Sequence, residues 1–275
     1  MIDDHNLYRI LCFRRHSVIP IYVISLAADA ERRARMRKQF DALRLPFQFL
    51  DGVDGRRLTE EAREEAAPPD RLRYWSHLTG GEIGCALSHL AAIRKIAAGH
   101  HPFVAVLEDD VAIGPGFPQF LAVLERHPPP FDVMWLSQSP RKNYRAVMRI
   151  GQLAGRQIRA RVYLDYTAAA AIYTREAARR IADTIKVIEA PIDHMLWRNH
   201  TVPGLRVVEA HPYIIEQDMD GPSTIHDREV KAIGARARFR RETIRYSNLV
   251  RRWRSFVSAW GPAALLKIRR VGWLK

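Results

Sequence analysis

Three consecutive carboxylates, Glu108, Asp109 and Asp110, are the side chains with the clearest potential for chemistry. They follow an apolar run that begins at Phe103 and is typical of a strand buried on both faces of a sheet. Open α/β sheets bind ligands beyond the carboxyl ends of their strands, where this cluster would lie. Adjacent acids repel one another, and Mg²⁺ and Mn²⁺ prefer carboxylate oxygens and usually also contact substrate phosphates. The pattern indicates metal-assisted handling of a phosphorylated substrate, but a solvated acidic turn after a core strand fits the spacing equally well.

The elements that would position this cluster follow the order of an α/β protein. Ile21–Leu26 and Phe47–Leu50 predict buried strands, and Asp29 can cap a helix between them that ends near Arg44. This β-α-β order favours a mostly parallel sheet flanked by helices. No G-x-G-x-x-G motif is present, which argues against a dinucleotide-binding dehydrogenase.

Further elements are predicted on both sides of the acids. Apolar positions at helical spacing predict a helix over Glu82–Ala98. Apolar runs predict strands at Phe131–Leu136 and at Thr167–Tyr173, the latter leading into a helix over 175–186. Residues 140–162 are basic and irregular, and we interpret them as a mobile substrate loop or a hairpin.

The net charge of +14 is concentrated at the C-terminus. Residues 228–275 hold fourteen Lys and Arg and two acids, which leaves 30 basic and 28 acidic residues in 1–227. We therefore expect a catalytic domain over 1–227 and a basic, helical C-terminal tail over 228–275. No stretch approaches the ~18–20 apolar residues of a membrane span, and the N-terminus lacks a signal-peptide layout, so we expect a cytoplasmic location. Cys12 and Cys85 give neither a disulfide framework nor metal-ligand spacing.

Several segments together resemble glycosyltransferase family 25, the lipopolysaccharide galactosyltransferase-like enzymes. The resemblance covers about residues 20–225, in the order typical of the family, with Ser25 where the family usually has Asn. The segments that carry it are YVISLAADAERRARM, FLDGVDG, LTGGEIGCALSHLAAIRKI, VAVLEDDVAI, AIYTREAARRI, APIDHM and the STI of PSTIHD.

This resemblance implies a GT-A-like, Rossmann-type fold, a UDP-sugar donor and Mn²⁺ or Mg²⁺. Glu108-Asp109-Asp110 takes the place of the DXD motif, with Asp110 and Asp109 as metal ligands. Glu108 or Asp109 would lie near the donor ribose or a bound water. If strand alternation continues through the cluster, Glu108 and Asp110 face one side and Asp109 the other.

The segment GEIGCALSH implies three donor-binding residues, Gly84, Ser88 and His89. Gly84 would permit close backbone approach, and the helix N-terminus near Gly81 would offer N–H groups to phosphate. His89 shares a helix face with apolar residues, so we favour a structural or supporting role for this side chain.

Four residues nearer the C-terminus are further candidates. Asp193 follows Pro191 at a helix start, where an Asp can be a cap or the general base that inverting transfer needs; both interpretations stay open. His226 would be a third metal ligand, with a surface histidine as the alternative. Gln217 and Ser223 are weaker candidates near the donor.

A run of arginines follows the first predicted strand. Arg32, Arg33 and Arg35 could contact a diphosphate, but such a run is usually a solvated helix face, and we expect that for at least two of them. Asp51 and Asp54 could shape the donor pocket, although turn chemistry explains them as well.

The resemblance and the tail combine into one functional expectation. The chain would be an inverting hexosyltransferase that moves galactose from UDP-galactose to a lipid-linked oligosaccharide of lipopolysaccharide. The tail could bind an anionic membrane surface at the inner face of the cytoplasmic membrane, pack on the catalytic domain, or bind nucleic acid, which we do not expect. Rival functions are a metal-dependent nucleotidyltransferase and a non-enzymatic basic membrane- or nucleic-acid-binding protein.

Overall fold

A computed structural model describes residues 19–72, 77–137, 145–162, 167–198, 202–217 and 250–271. The predictions for Ser223, His226 and residues 228–249 lie outside these ranges. The boundary predicted at residue 227 lies there too, and it stays a prediction.

The α-helices and strands alternate along the first half of the chain, and strands dominate the second. The helices are α1 (Ala30–Leu43), α2 (Glu60–Ala66), α3 (Gly80–Ala98), α4 (Phe117–Arg126), α5 (Arg175–Thr184) and α6 (250–260). The strands are β1 (Ile21–Ser25), β2 (Gln48–Asp51), β3 (Phe103–Glu108), β4 (Val111–Ile113), β5 (Val133–Trp135), β6 (Arg145–Leu153), β7 (Arg156–Arg161), β8 (Ala170–Thr174), β9 (Val207–His211), β10 (Ile215–Gln217) and β11 (Arg269–Val271).

Nine of the described strands form one sheet, in the order β11-β6-β7-β9-β5-β8-β3-β1-β2. The pairs β1–β2, β1–β3 and β5–β9 are parallel, whereas the other five neighbouring pairs are antiparallel. The expectation of a mostly parallel sheet is therefore wrong, and the sheet is mixed. Parallel pairs need a long crossover, which the β1-α1-β2 unit provides, while β6 and β7 follow each other directly as a hairpin.

Strands β6 and β7 form a hairpin within the segment 140–162, of which residues 145–162 are described. Its two-residue turn consists of Ala154 and Gly155, which have positive φ angles of 47° and 76°. Positive φ at both turn residues gives a backbone twist that matches the twist of the flanking strands. Of the two alternatives left open by the sequence, the described residues form the hairpin.

Helices cover both faces of the sheet. Apolar residues of α1 and α4 pack on one face, and those of α3 and α5 pack on the other. The central strand β3 divides its side chains accordingly: Ala105 and Leu107 contribute to the first layer, Val104 and Val106 to the second. This two-sided burial explains the continuous apolar sequence before Glu108 and confirms the predicted strand.

The described part of the C-terminal segment packs on the rest of the protein. Phe256 of α6 is only 5% exposed and belongs to the core layer that contains α1 and α4. The N–H of Gly204 donates to the Ser255 hydroxyl at 3.2 Å, and β11 pairs with β6 at the edge of the sheet. For residues 250–271 the structure therefore favours packing on the domain, one of the alternatives considered for the tail. Among the described helices, none has the length and apolarity needed to cross a membrane.

Candidate active site

The candidate site lies at one edge of the sheet, where three parallel strands end. β1 ends at Ser25, β2 at Asp51 and β3 at Glu108. The strand register places Ser25 opposite Asp51 and Ile24 opposite Glu108, so the three carboxyl ends lie side by side. The acid cluster therefore occupies the edge at which open α/β sheets bind ligands.

The acids of the cluster have different surroundings because the strand ends at Glu108, and Asp109 and Asp110 form a turn. The His89 Nε2 atom lies 2.9 Å from Glu108 Oε1, and Arg32 donates to Asp109 Oδ1 at 3.0 Å. The strand alternation considered from the sequence therefore stops before Asp110. One acid contacts a histidine and the next forms an ion pair with an arginine.

Asp110 is the acid whose negative charge is least offset by hydrogen bonds or positive charges. Its Oδ2 accepts a hydrogen bond from Gln217 Nε2 at 3.3 Å, while its buried Oδ1 has no hydrogen-bond partner among the described residues. Burial, and next the negative charge of Glu108, raise the pKa of Asp110 from 3.8 to about 7. A buried oxygen that lacks a donor, next to a second carboxylate, suits a hard divalent cation. The residues present thus fit the Mn²⁺ or Mg²⁺ that the resemblance implied.

The arginines of α1 contact this edge rather than only the solvent. Arg35 donates to the backbone oxygen of Asp109 at 3.1 Å, and Arg33 bonds to the carboxylate of Asp51. Arg32 and Arg33 are half-buried. The expectation that at least two of the three lie on a solvated face is wrong for Arg32 and Arg33, because the acids that attract them come from distant parts of the chain. Because Arg32 forms an ion pair with Asp109, a metal bound at Asp109 would have to share that carboxylate with Arg32.

The backbone of helix α3 packs directly against the backbone of the turn that follows β2. A Cβ atom on Gly84 would lie 2.4 Å from the oxygen of Val53, and one on Gly55 would lie 1.9 Å from the oxygen of Gly80. The Ser88 hydroxyl joins the two segments, because it accepts from Val53 N–H at 2.8 Å and donates to the Gly84 oxygen at 2.6 Å. The close approach expected at Gly84 is present, and its partner is the protein's own turn. Donor binding by Gly84 and Ser88 stays a prediction.

The N-terminus of α3 carries a capping box. The Thr79 hydroxyl accepts from the Glu82 N–H at 3.2 Å, and the Glu82 carboxylate accepts from the Thr79 N–H at 2.9 Å. One of the N–H groups predicted to bind phosphate is therefore already bonded within the chain.

His89 is buried and positions an acid. It is 1% exposed, and its ring lies between α3 and the end of β3, with Nε2 directed at Glu108. The geometry agrees with the supporting role favoured from the sequence. Contact of His89 with the donor stays a prediction.

Asp193 lies near Cys85, next to the acid cluster. Its Oδ1 accepts from the N–H of the next residue, His194, at 2.8 Å, whereas the side chain of a helix N-cap accepts from the second or third residue beyond it. A π-helical turn at His194–Arg198 follows. The charge of Asp193 also contributes to raising the pKa of Cys85, after burial and the charge of Glu108. Its backbone bond therefore does not remove it from the site, and its role as general base stays a prediction.

Three residues that the sequence analysis missed, or ranked low, support the cluster. Gln217 is the hydrogen-bond partner of Asp110, and the Thr167 hydroxyl bonds to Gln217 Oε1 at 3.3 Å. Gln39 holds β4 in place, because it donates to the Val111 oxygen at 2.9 Å and accepts from the Ile113 N–H at 2.8 Å. The only signal for Gln39 in the sequence is a polar residue beside the apolar stripe of α1.

Comparison with known proteins assigns the class of this chain. Residues 18–196, more than half of its 275 residues, match the sequence model of glycosyltransferase family 25, described as LPS biosynthesis protein. The chain belongs to this family. The match includes Glu108, Asp109, Asp110 and Asp193, but it ends before Gln217.

Three relatives illustrate the range of the family. The chain is 40% identical over 101 residues to the lacto-N-neotetraose biosynthesis glycosyltransferase LgtE of Neisseria gonorrhoeae, which is 37% of this chain and 35% of LgtE. It is 27% identical over 175 residues to the lipooligosaccharide biosynthesis protein lic2B of Haemophilus influenzae, 58% of this chain and 61% of lic2B. It is 36% identical over 102 residues to the inactive glycosyltransferase 25 family member 3 of Mus musculus, 35% of this chain and 17% of that protein. The chain thus matches less than two thirds of the length of each relative.

Proposed function

We propose that this protein is an inverting, metal-dependent hexosyltransferase that transfers galactose from UDP-galactose to a lipopolysaccharide or lipooligosaccharide acceptor. Family membership supports the reaction class; LgtE is named for the biosynthesis of lacto-N-neotetraose and lic2B for the biosynthesis of lipooligosaccharide. The observation that carries the proposal is Asp110, whose buried Oδ1 lacks a donor at the ligand-binding edge of the sheet.

Asp110 is the first metal ligand in this proposal. The negative charge of Glu108 raises the pKa of Asp110, so a cation bound beside both carboxylates would relieve their repulsion, with Asp109 contributing if it shares its charge with Arg32. His226 is the further ligand inferred from the resemblance. A divalent ion held here would neutralise the diphosphate that leaves with the nucleotide.

The protein groups provide the remaining chemistry. Asp193 accepts the proton of the acceptor hydroxyl as that oxygen attacks the anomeric carbon, and the bond from this carbon to the diphosphate breaks with inversion. Arg35 and Arg32, which already contact Asp109, lie where they can favour the negative charge of the donor. Gln217 keeps Asp110 oriented.

The proposal is tested with a panel of UDP-sugars in the presence and absence of Mn²⁺. We expect UDP-galactose with Mn²⁺ to raise Tm, and slow UDP release even without acceptor. Asp110→Asn should lower turnover by about 10²–10³, the usual loss when a group stabilising transition-state charge is removed. Asp183→Asn is the matched control, since this carboxylate is exposed on α5, and it should leave turnover unchanged. Equal turnover by the Asp110 variant would contradict the proposal.

Product analysis in the same assay separates the rival chemistries. Release of UMP or pyrophosphate instead of UDP would identify a nucleotidyltransferase. The mouse relative is named as inactive, so a catalytically silent member of the family is the second alternative. Such a protein would release no nucleotide with any donor of the panel.

We further propose that residues 250–271 contact an anionic lipid surface at the inner face of the cytoplasmic membrane. Leu266 is 91% exposed and Leu265 is 43% exposed, and both are followed by the exposed basic residues Lys267 and Arg269. Exposed leucines can enter the interface, and each basic residue near anionic lipid contributes about 1 kcal/mol.

Co-sedimentation with vesicles of phosphatidylglycerol and phosphatidylcholine tests this contact. Replacing Leu265 and Leu266 together by Ser should lower the bound fraction, whereas Val250→Ser, an exposed apolar residue on α6, is the control. Unchanged binding by the double variant, or equal binding to neutral vesicles, would contradict a role of this patch.

A further inference from the structure

Three potential ligands of a soft or borderline metal ion meet beside the acid cluster. Cys85 Sγ, His89 Nε2 and a carboxylate oxygen of Glu108 all lie within 4.8 Å of one another. The Cys85 thiol is 3.9 Å from Glu108 Oε1, and His89 Nε2 is 2.9 Å from the same oxygen. We propose that this trio, which we call the Cys-His-Glu site, binds Zn²⁺.

The fold brings the three groups together in two steps. Cys85 and His89 are four residues apart on α3, so their side chains lie on one face of the helix, one turn apart. Glu108 ends β3, and the packing of α3 against this part of the sheet presents its carboxylate to that face. All three ligands therefore come from regular elements, which hold donor atoms more rigidly than loops do.

The donor set selects the kind of ion. A sulfur, an imidazole nitrogen and a carboxylate oxygen are ligands that Zn²⁺ accepts in tetrahedral geometry, at about 2.0–2.3 Å from the metal. Three protein ligands leave the fourth position open for water or substrate. Mg²⁺ and Mn²⁺ prefer oxygen ligands, so they should favour Asp110 and avoid the thiol.

The carboxylates around Cys85 favour a bound cation, whereas burial of the thiol opposes the loss of its proton. Burial and the negative charges of Glu108, Asp193 and Asp110 all raise the pKa of Cys85 well above its usual range. In the absence of an ion the group therefore stays a thiol. Binding of Zn²⁺ would form the metal–sulfur bond with release of this proton to solvent, and the added positive charge would offset the nearby carboxylates.

The histidine ring can make the required exchange without a new unsatisfied group. Its buried Nδ1 has no hydrogen-bond partner among the described residues. When Nε2 gives up its bond to Glu108 for a metal bond, the ring proton moves to Nδ1. One ring nitrogen lacks a partner among the described residues before and after the change, so the number of unpaired ring atoms stays the same.

Co²⁺ is the probe that tests the Cys-His-Glu site, because it adopts the geometry of Zn²⁺ and its absorption spectrum reports sulfur ligation. We expect the full chain, stripped of metal, to bind one Co²⁺ with a sulfur-to-metal charge-transfer band, and Zn²⁺ to displace it. Cys85→Ser should abolish the band, and His89→Gln and Glu108→Gln should weaken binding tenfold or more. The readout is spectroscopic, so it does not depend on the proposed glycosyltransferase activity.

Cys12→Ser is the matched control, since Cys12 is the other cysteine of the chain. It should retain the charge-transfer band in full. A band that persists in Cys85→Ser, a band lost in Cys12→Ser, or a Co²⁺ complex without sulfur absorption would each overturn the proposal. Cadmium NMR of the unmutated chain gives the same answer without any substitution, because the metal resonance shifts strongly when sulfur is a ligand.

Discussion

Replacing Asp110 by Asn should stabilise the metal-free protein at pH 8 although it removes the proposed metal ligand. The pKa of Asp110 is about 7 in the folded protein, compared with 3.8 without the surroundings of the site. A raised carboxyl pKa means that the folded state binds its proton more tightly than the unfolded chain does. The free energy of unfolding therefore falls as pH rises from about 4 to 7, and the full cost of the buried charge is present above that range.

The size of the effect follows from the difference of about three pKa units. At about 1.4 kcal/mol per unit, the ionised carboxylate costs roughly 4 kcal/mol at pH 8 and less than about 1 kcal/mol at pH 4. Asn has the same shape and no charge, and its side-chain oxygen can still accept the bond from Gln217. We expect a gain of about 2–4 kcal/mol at pH 8, which is a rise of roughly 5–10 °C in Tm.

Thermal unfolding in EDTA at pH 4 and pH 8 measures this gain. Asp109→Asn is the matched control, because it removes a carboxylate that is paired with Arg32 and should lower Tm instead. Added Mn²⁺ should raise the Tm of the unmutated protein at pH 8 and leave the Asp110 variant unchanged. An equal gain at both pH values, or a loss at pH 8 as large as that of the control, would refute a buried and uncompensated Asp110.

Three further predictions concern the elements around the site. Gly84→Ala should lower the free energy of unfolding by about 1–3 kcal/mol in a denaturant titration, because the new methyl group would lie 2.4 Å from the backbone oxygen of Val53. Gly151→Ala is the control, since a methyl group there meets no atom within 4 Å. A comparable loss in the control would contradict the steric explanation. Asp193→Asn should lower kcat by about 10²–10⁴ in a UDP-release assay and leave Tm nearly unchanged, because the Asn oxygen can still accept from the His194 N–H; a Tm loss with normal kcat would instead identify a purely structural role. Phe256→Ala should lower the free energy of unfolding by about 3–5 kcal/mol within one cooperative transition, because this ring is part of the core. A separate early transition of the C-terminal segment would show that α6 is not integral to the domain.

Local signals in the sequence sufficed for most elements of the first half of the fold. Asp29 caps α1 as predicted, since its side chain accepts from the Arg32 N–H, and the apolar run before Glu108 forms the buried β3. The direction of the later strands could not be predicted in this way. Apolar periodicity reports burial, and β8 is as buried as a parallel strand although it pairs antiparallel with β3.

The site was predictable as a set of acids but not as a network. The sequence shows three adjacent carboxylates, yet the ion pair of Asp109 joins residues that are 77 positions apart, and the bond from Gln217 to Asp110 spans 107. Such pairings depend on the strand order, which no local pattern contains. The Cys85–His89 spacing was a readable signal for one shared helix face, but only the fold shows that Glu108 joins them.

The two metal sites that we propose share one short segment, whose three acids have different partners. Arg32 neutralises Asp109 and His89 holds Glu108, so the unrelieved charge of the cluster is concentrated on Asp110. Asp110 offers only oxygen to a hard ion, while Glu108 is near Asp110 and is also 3.9 Å from the Cys85 thiol. A hard ion at Asp110 and a soft ion at the Cys-His-Glu site would both draw on Glu108. Zn²⁺ should therefore weaken Mn²⁺ binding in the unmutated protein, and Cys85→Ser should relieve this competition while leaving the Mn²⁺ affinity itself unchanged.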